Sequence, residues 1–525
     1  MKRGHILMSE GTCSSMSFAT RFDRLANACC TLLQDAGTTP EREAHIALAP
    51  LHLRNAHPET LAQYPDLFTA KASWRDRLRA RLGPYILSVL AILKKQPDWM
   101  GDPLPKNADI LFLSHLTDPE EASTGRDLYF GDIPAQCAAH ESTRVVVALL
   151  NHTRVSPDAL RMLWNATKIP RIVLGRLAGF RQEWRMAERL RQAVRNLPES
   201  RSQGELEIAT FLKATPVTGR SLTALRTADQ VEKLVRKLRP SLLVLTFEGH
   251  AWERLAMAAA RRAHPGILCL GYHHTILFPK TAASGWKLGG GYDPDGVLTA
   301  GEVSAKWFAT ETALQGTPVM PLGSVRRQFE APSVCSDFQA DNLICLVAPE
   351  GILGETKRLF QAALEAAEHS PDLRLRLRLH PVLSRALVES EMPELRDLPT
   401  NVKWSVAPLE QDLALCDAVL YRGSTVALTA GLSGLRPIYL RAEEEPVCLD
   451  PLEACLGAWH NEIGSGKALS AALRRETSQQ AREALQTYCQ RYFTPPRASA
   501  LREITELIHT SSNSTGTSHD ARTSV

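Results

Sequence analysis

The 525-residue sequence predicts an α/β protein: two doubly wound domains in tandem, a cleft between them, and a helical extension in front. Three observations predict it. From about residue 108, short apolar runs alternate with longer helical stretches. Those runs are mostly apolar throughout, as strands covered on both faces require. The Gly- and Pro-rich stretch "PKTAASGWKLGGGYDPDG" at 279–296 punctuates the chain, and after "GVLTAG" and "PVMPLGSVRR" a second such series starts.

Residues 1–104 read as a helical region, with "FATRFDRLANACCTLLQDA" and "WRDRLRARLGPYILSVLAILKK" carrying apolar positions at helical period. The first domain is predicted over 105–320. Its strands are "ADILFLSHL", "TRVVVALLNH", "PRIVLGRL", "PSLLVLTFEG" and "GILCLGYHH", followed by "GVLTAG" and "PVMPLGSVRR". The second domain spans 321–508, with strands "NLICLVAP", "LRLRLRLH", "VKWS", "DAVLY" and "RPIYL". A polar tail, 509–525, is predicted to be disordered.

Composition narrows the function. A formal charge of +4 is small for this length and argues against a dedicated nucleic-acid binder. The eleven cysteines are scattered, and the adjacent Cys29 and Cys30 suit neither a zinc site nor a simple disulfide. They read as reduced thiols of a cytoplasmic protein. The longest apolar run, "PYILSVLAIL" at 84–93, is far short of the ~20 residues that span a bilayer. The opening residues lack the apolar core of a secretory leader. The basic helix of 74–95 reads more readily as a solvated face than as a membrane-surface helix.

Five places carry candidate chemistry. "TFEGHAWERLAMAAARR" at 246–262 leaves a strand and enters a helix at once, so Glu248, Gly249 and His250 lie where open α/β sheets bind ligands. A helix cap is the competing reading of Glu248, but Glu is not among the preferred caps. Trp252 falls on the packing stripe of that helix. "GYHH" ends the next strand with His273 and His274, which point to opposite faces and do not readily share one metal. "LRLRLRLHP" alternates strictly, which predicts an edge or half-exposed strand, and closes on His380 and Pro381. In "DAVLYRGSTVALTAG", Gly423, Ser424 and Thr425 open a helix and form a candidate anion site, with Arg422 as a further cation. Glu350 and Gly351, in "VAPEG", either line the same cleft or cap the next helix.

Together these pieces resemble the two-domain GT-B glycosyltransferases, with two Rossmann-like domains facing across a cleft. They look most like the bacterial surface-carbohydrate enzymes that use CMP-sugars, the sialyl and Kdo transferases of capsule and lipopolysaccharide synthesis. The matching signatures are "FEG", "LHP" and "GST", in that order, and the resemblance covers about 105–445. Phe247 stands where sialyltransferases usually carry a second acidic residue. The resemblance implies sugar transfer from a CMP-linked donor, as co-substrate, to a glycan or lipid-linked glycan. No separate cofactor or metal is implied. It implies Glu248 and His380 as catalytic residues, with His380, Arg422, Gly423, Ser424, Thr425, Glu350 and Gly351 on the nucleotide and its phosphate. Gly249, His250, His273 and His274 would line the acceptor side. It also implies a cytoplasmic protein, with peripheral contact at the inner membrane. A UDP- or GDP-sugar transferase, a CDP-glycerol-type transferase and an inactive scaffold subunit fit the same fold.

Overall fold

The computed structural model describes residues 18–35, 41–48, 51, 97–139, 143–153, 155–325, 343–443, 445, 447–455, 459 and 461–516. The basic helix expected at 74–95 lies outside these residues. The described chain forms two Rossmann-like sheets flanked by helices.

The first sheet has eight strands: β1 (Trp99–Gly101), β2 (Ile110–Leu116), β3 (Val145–Asn151), β4 (Arg171–Leu174), β5 (Leu242–Thr246), β6 (Leu268–His273), β7 (Gly296–Thr299) and β8 (Val319–Pro321). Their order is β1-β4-β3-β2-β5-β6-β7-β8, parallel except that β1 runs against β4. Strand β1 is a departure from the sequence reading, which assigns everything before 105 to helix. Three residues at an edge are too few to show a period.

Alternation divides each inner strand between two cores. Leu111, Leu113, Val146 and Ala148 face the helices Gly219–Leu238 and Ala251–Ala263. Phe112, Val147, Val244 and Leu270 share the other face with Leu501 and Ile504 of the helix Ser499–Gly516. That last helix corrects two expectations. The chain after Thr494 packs on the first sheet although the sequence reading leaves residues up to 508 in the second domain, because the apolar stripe at 500, 501 and 504 finds its cover there. The helix also continues to Gly516, past the start of the expected tail, with Ile508 anchoring its midpoint.

The second sheet contains β9 (Ile344–Pro349), β10 (Arg374–Leu377), β11 (Val402–Trp404), β12 (Ala418–Arg422), β13 (Arg436–Leu440) and β14 (Glu462–Ile463). The order is β11-β10-β9-β12-β13-β14, all parallel. Strand β10 lies inside the sheet, not at its edge. Its alternation follows the half-exposed alternative: Leu375 and Leu377 enter the core, Arg374 is exposed, and the partly exposed Arg376 and Arg378 both pair with the fully buried Asp412 at 2.9 and 2.8 Å. Asp412 offsets one of the two charges and both arginines keep contact with solvent, so an interior strand tolerates them.

In each sheet the chain reverses its strand order once, between β2 and β5 in the first and between β9 and β12 in the second. Crevices beyond the carboxyl ends of strands open at such reversals. Among the described residues no helix is long and apolar enough to cross a membrane.

Candidate active site at the strand carboxyl ends

The turn after β5 settles which carboxylate caps the following helix. Glu253, in the first turn, reaches back and accepts from the backbone N–H groups of Glu248 (3.0 Å), Gly249 (2.7 Å) and His250 (2.8 Å). It is 1% exposed and forms a capping box with His250. Burial pushes its carboxyl up to about 7, while the charge of His250 favours ionisation. With the cap supplied by Glu253, the Glu248 side chain is released from the helix end.

Glu248 turns instead into a group of histidines. Its Oε2 lies 3.0 Å from His250 Nε2 and its Oε1 3.4 Å from His274 Nε2. Burial alone would raise its pKa, but the His250 hydrogen bond and the charges of His274, His250 and His273 outweigh that and hold the carboxyl below the usual carboxylate range. The same contact works in reverse on His250. Burial lowers its pKa, yet bonding to Glu248 and the charge of Glu253 raise it overall.

Two further histidines complete the group, and the sequence reading missed both. His115, at the end of β2, lies 2.8 Å from His152 and 2.9 Å from Thr246 Oγ1. Burial and the neighbouring His152 and His274 push it down to about 3, so it is neutral. Tyr129 stands 4.6 Å from the ring of His274 and 5.0 Å from that of His115. Trp252 meets His115 edge-on at 5.3 Å, so the residue assigned to packing also walls the site. A signal for both histidines was present: each falls at or just past the carboxyl end of an apolar strand, in "FLSHL" and "ALLNH".

Other expected residues fall elsewhere. His273 is 2% exposed and packs edge-on against Phe308, on the opposite face from His274. Gly249 has φ +87, and a side chain there would collide with the backbone of Ala283 and Ser284. The glycine therefore serves a tight turn against which this protein's own loop packs closely. Arg254, 1% exposed, holds that loop by pairing with Asp293 at 2.7 Å and donating to the carbonyls of Ala283, Ser284 and Trp286.

On the second sheet, Glu350, Gly351, His380, Gly423 and Ser424 come together beyond the ends of β9, β10 and β12. A Cβ on Gly351 would stand 2.9 Å from His380 Nδ1, and one on Gly423 (φ +67) would strike the Glu350 carboxylate. His380 is half-buried, and burial lowers its pKa. Ser424 accepts from the Val426 N–H at 3.3 Å, and Thr425 directly precedes the helix Val426–Leu432. Arg422 is a correction. It is 2% exposed, ion-paired with Glu355 and Glu445, and bonded to Tyr439 Oη and the Leu440 carbonyl at 3.0 Å each. Alternation along β12 puts residue 422 on the same sheet face as 418 and 420, so its guanidinium enters the core face and not the crevice.

A separate cavity of about 470 Å³, lined by Gly289, Gly290, Gly291 and Asp295, lies toward the amino ends of β6 and β7, away from these residues.

No protein-family model matches this chain, and no curated protein does. Solved structures do show likenesses. The glycosyltransferase of kitacinnamycin aligns at 15% identity over 77% of this chain and 100% of its own, with a TM-score of 0.45. The UDP-GlcNAc 2-epimerase from Neisseria meningitidis bound to UDP-GlcNAc aligns at 12%, over 76% and 99%, with a TM-score of 0.42. The glycosyltransferase SnogD from Streptomyces nogalater aligns at 17%, over 76% and 99%, again at 0.42. At these values the chemistry below has to be drawn from this chain's own residues.

Proposed function

We propose that the protein transfers a sugar from a nucleotide donor to a hydroxyl of a glycan or lipid-linked glycan. The observation that carries this reading is the division of labour between Glu253 and Glu248. A capping carboxylate is already in place, so the second one, at a strand end and held ionised by histidines, is left for chemistry. In the proposed step Glu248 takes the proton from the acceptor hydroxyl as its oxygen attacks the anomeric carbon. His250 and His274 fix the carboxylate and accommodate the proton's charge. His380, Ser424, Thr425 and the backbone around Gly423 receive the leaving phosphate. Glu350, whose carboxylate lies against Gly423, would repel that phosphate and suits the sugar hydroxyls of the nucleotide better.

The donor is proposed to be a CMP-linked sugar of the Kdo or sialic-acid kind, on the order and strand-end placement of the "FEG", "LHP" and "GST" signatures. Thermal melting with CMP, UDP and GDP tests this, because a ligand that binds only the folded chain raises Tm. The expected result is stabilisation by CMP that His380→Ala weakens. Stabilisation by UDP or GDP without CMP replaces the donor. Absence of any nucleotide response leaves the scaffold reading in its place.

A further inference from the structure

Beside the histidine group, the chain leaves a cavity of about 650 Å³ between the carboxyl ends of β3 and β4 and the start of the helix Gly219–Leu238. His152 belongs to both: it lines the cavity and bonds to His115. The volume is that of a site for a sugar-sized ligand.

The lining has a marked chemical bias, since none of the described residues that line the cavity is acidic. Two arginines reach it, and they differ. Arg226 is 6% exposed and its charge is matched by Glu183, at 2.7 and 3.0 Å. Arg176 is solvent-exposed, and among the described residues its recorded acceptor is one neutral carbonyl, that of Thr153, at 2.8 Å. Its charge is felt by the neighbouring His152, whose pKa is lowered first by burial and next by Arg176.

Two polar side chains of the lining are also set to donate. The Asn151 carbonyl oxygen is occupied by the Thr153 N–H and hydroxyl, at 2.9 and 2.8 Å, which leaves its amide NH₂ as the remaining donor. Ser156 Oγ accepts from the Ala159 N–H at 3.2 Å and keeps its own proton to give. The amino-terminal end of the twenty-residue helix Gly219–Leu238 contributes Gly219 to the wall and adds positive potential. An unmatched guanidinium, two committed acceptors and no carboxylate make a site that rewards a negative charge.

We infer that this cavity is the acceptor subsite and that Arg176 selects an acceptor bearing an oxyanion, a phosphate or a carboxylate, on the sugar next to the hydroxyl that Glu248 deprotonates. The inference rests on the transferase reading above. Arg176 is a specificity-determining residue here, and the guanidinium fork suits either group.

The test uses the full chain, thermal melting, and three sugar probes: glucose 6-phosphate, glucuronate and glucose. CMP and UDP are run alongside. One or both anionic sugars should raise Tm while glucose does not. Arg176→Ala should weaken the apparent affinity for the anion about tenfold or more, as loss of a charge-assisted contact does. Arg176→Lys should lie between, and the nucleotide response should be unchanged in both variants. A stronger response to glucose 6-phosphate assigns the phosphate, and a stronger response to glucuronate the carboxylate. An equal response to glucose, an undiminished response in Arg176→Ala, or no response to either anion overturns the inference. The nucleotide arm keeps the two readings apart: a nucleotide shift without an anion shift sinks only this one, and an anion shift without a nucleotide shift sinks the transferase reading and with it the acceptor role of this cavity.

Discussion

At the scale of single residues, the site depends on how Glu248 is held ionised. Its pKa is depressed, so its charged form, and the stabilisation that comes with it, persists above the ordinary carboxylate range and is lost as pH falls through the folded value. A base that must be ionised then loses activity only on the acid side. The acid limb of kcat/KM is expected below pH 4.5, the ordinary value for a glutamate. His250→Asn removes the partner that most favours ionisation, and the limb should move toward neutrality. A pH profile taken where both proteins remain folded checks this, and an unmoved limb removes His250 from control of Glu248. Glu248→Gln should lower kcat by about a hundredfold or more with CMP binding retained, the usual scale for losing a general base. Full activity in that variant would dismiss Glu248 from the chemistry.

At the scale of elements, the turn from β5 into the helix Ala251–Ala263 shows why Glu253 and Glu248 could not be told apart from spacing alone. Both stand near the positive end of the same helix. Only the turn of the chain at Gly249 decides which carboxylate meets the three free N–H groups. Glu253→Ala strips an acceptor from three N–H donors at a mostly buried turn. It should cost about 2–4 kcal/mol by chemical denaturation, as loss of a cap together with buried unsatisfied donors does. Glu253→Gln, which keeps an acceptor oxygen, should cost less. Equal stability of Glu253→Ala and the parent would mean that the helix start is held by something else. The β10 arginines give a parallel case: the alternation was visible, but its meaning depended on Asp412, more than thirty residues away.

At the scale of the whole molecule, the last part of the chain ties the second sheet's helices to the first sheet. The helix Gln479–Tyr492 packs on the helices Val426–Leu432 and Glu302–Thr310. Tyr492, 1% exposed, accepts through its hydroxyl from the Leu277 N–H at 2.6 Å. The chain then pairs through the Thr494 N–H with the Ala300 carbonyl at 3.0 Å. Tyr492→Phe leaves the Leu277 N–H buried without that partner. It is expected to cost about 1–3 kcal/mol in an unfolding titration. Nucleotide-induced stabilisation should persist, because the hydroxyl's partner, the Leu277 N–H, is not among the residues proposed to hold the nucleotide. A neutral result would show that Leu277 finds another acceptor.

The sequence alone determined the α/β class, most of the strands, and the strand-end positions of Glu248, His380 and Ser424, because apolar runs and their terminating turns are local properties of the chain. It missed β1 and β14, two or three residues long, because neither is long enough to carry a period. Only the tertiary structure decided which side chains meet. Arg422 was drawn into a buried cluster with Glu355 and Glu445, Gly249 was filled by the 283–285 loop, and His115 and His152 were brought to Glu248's crevice from separate strands. Those outcomes depend on strand order and on partners far apart in sequence. Charge pairing and close packing act through space, and spacing along the chain does not record them.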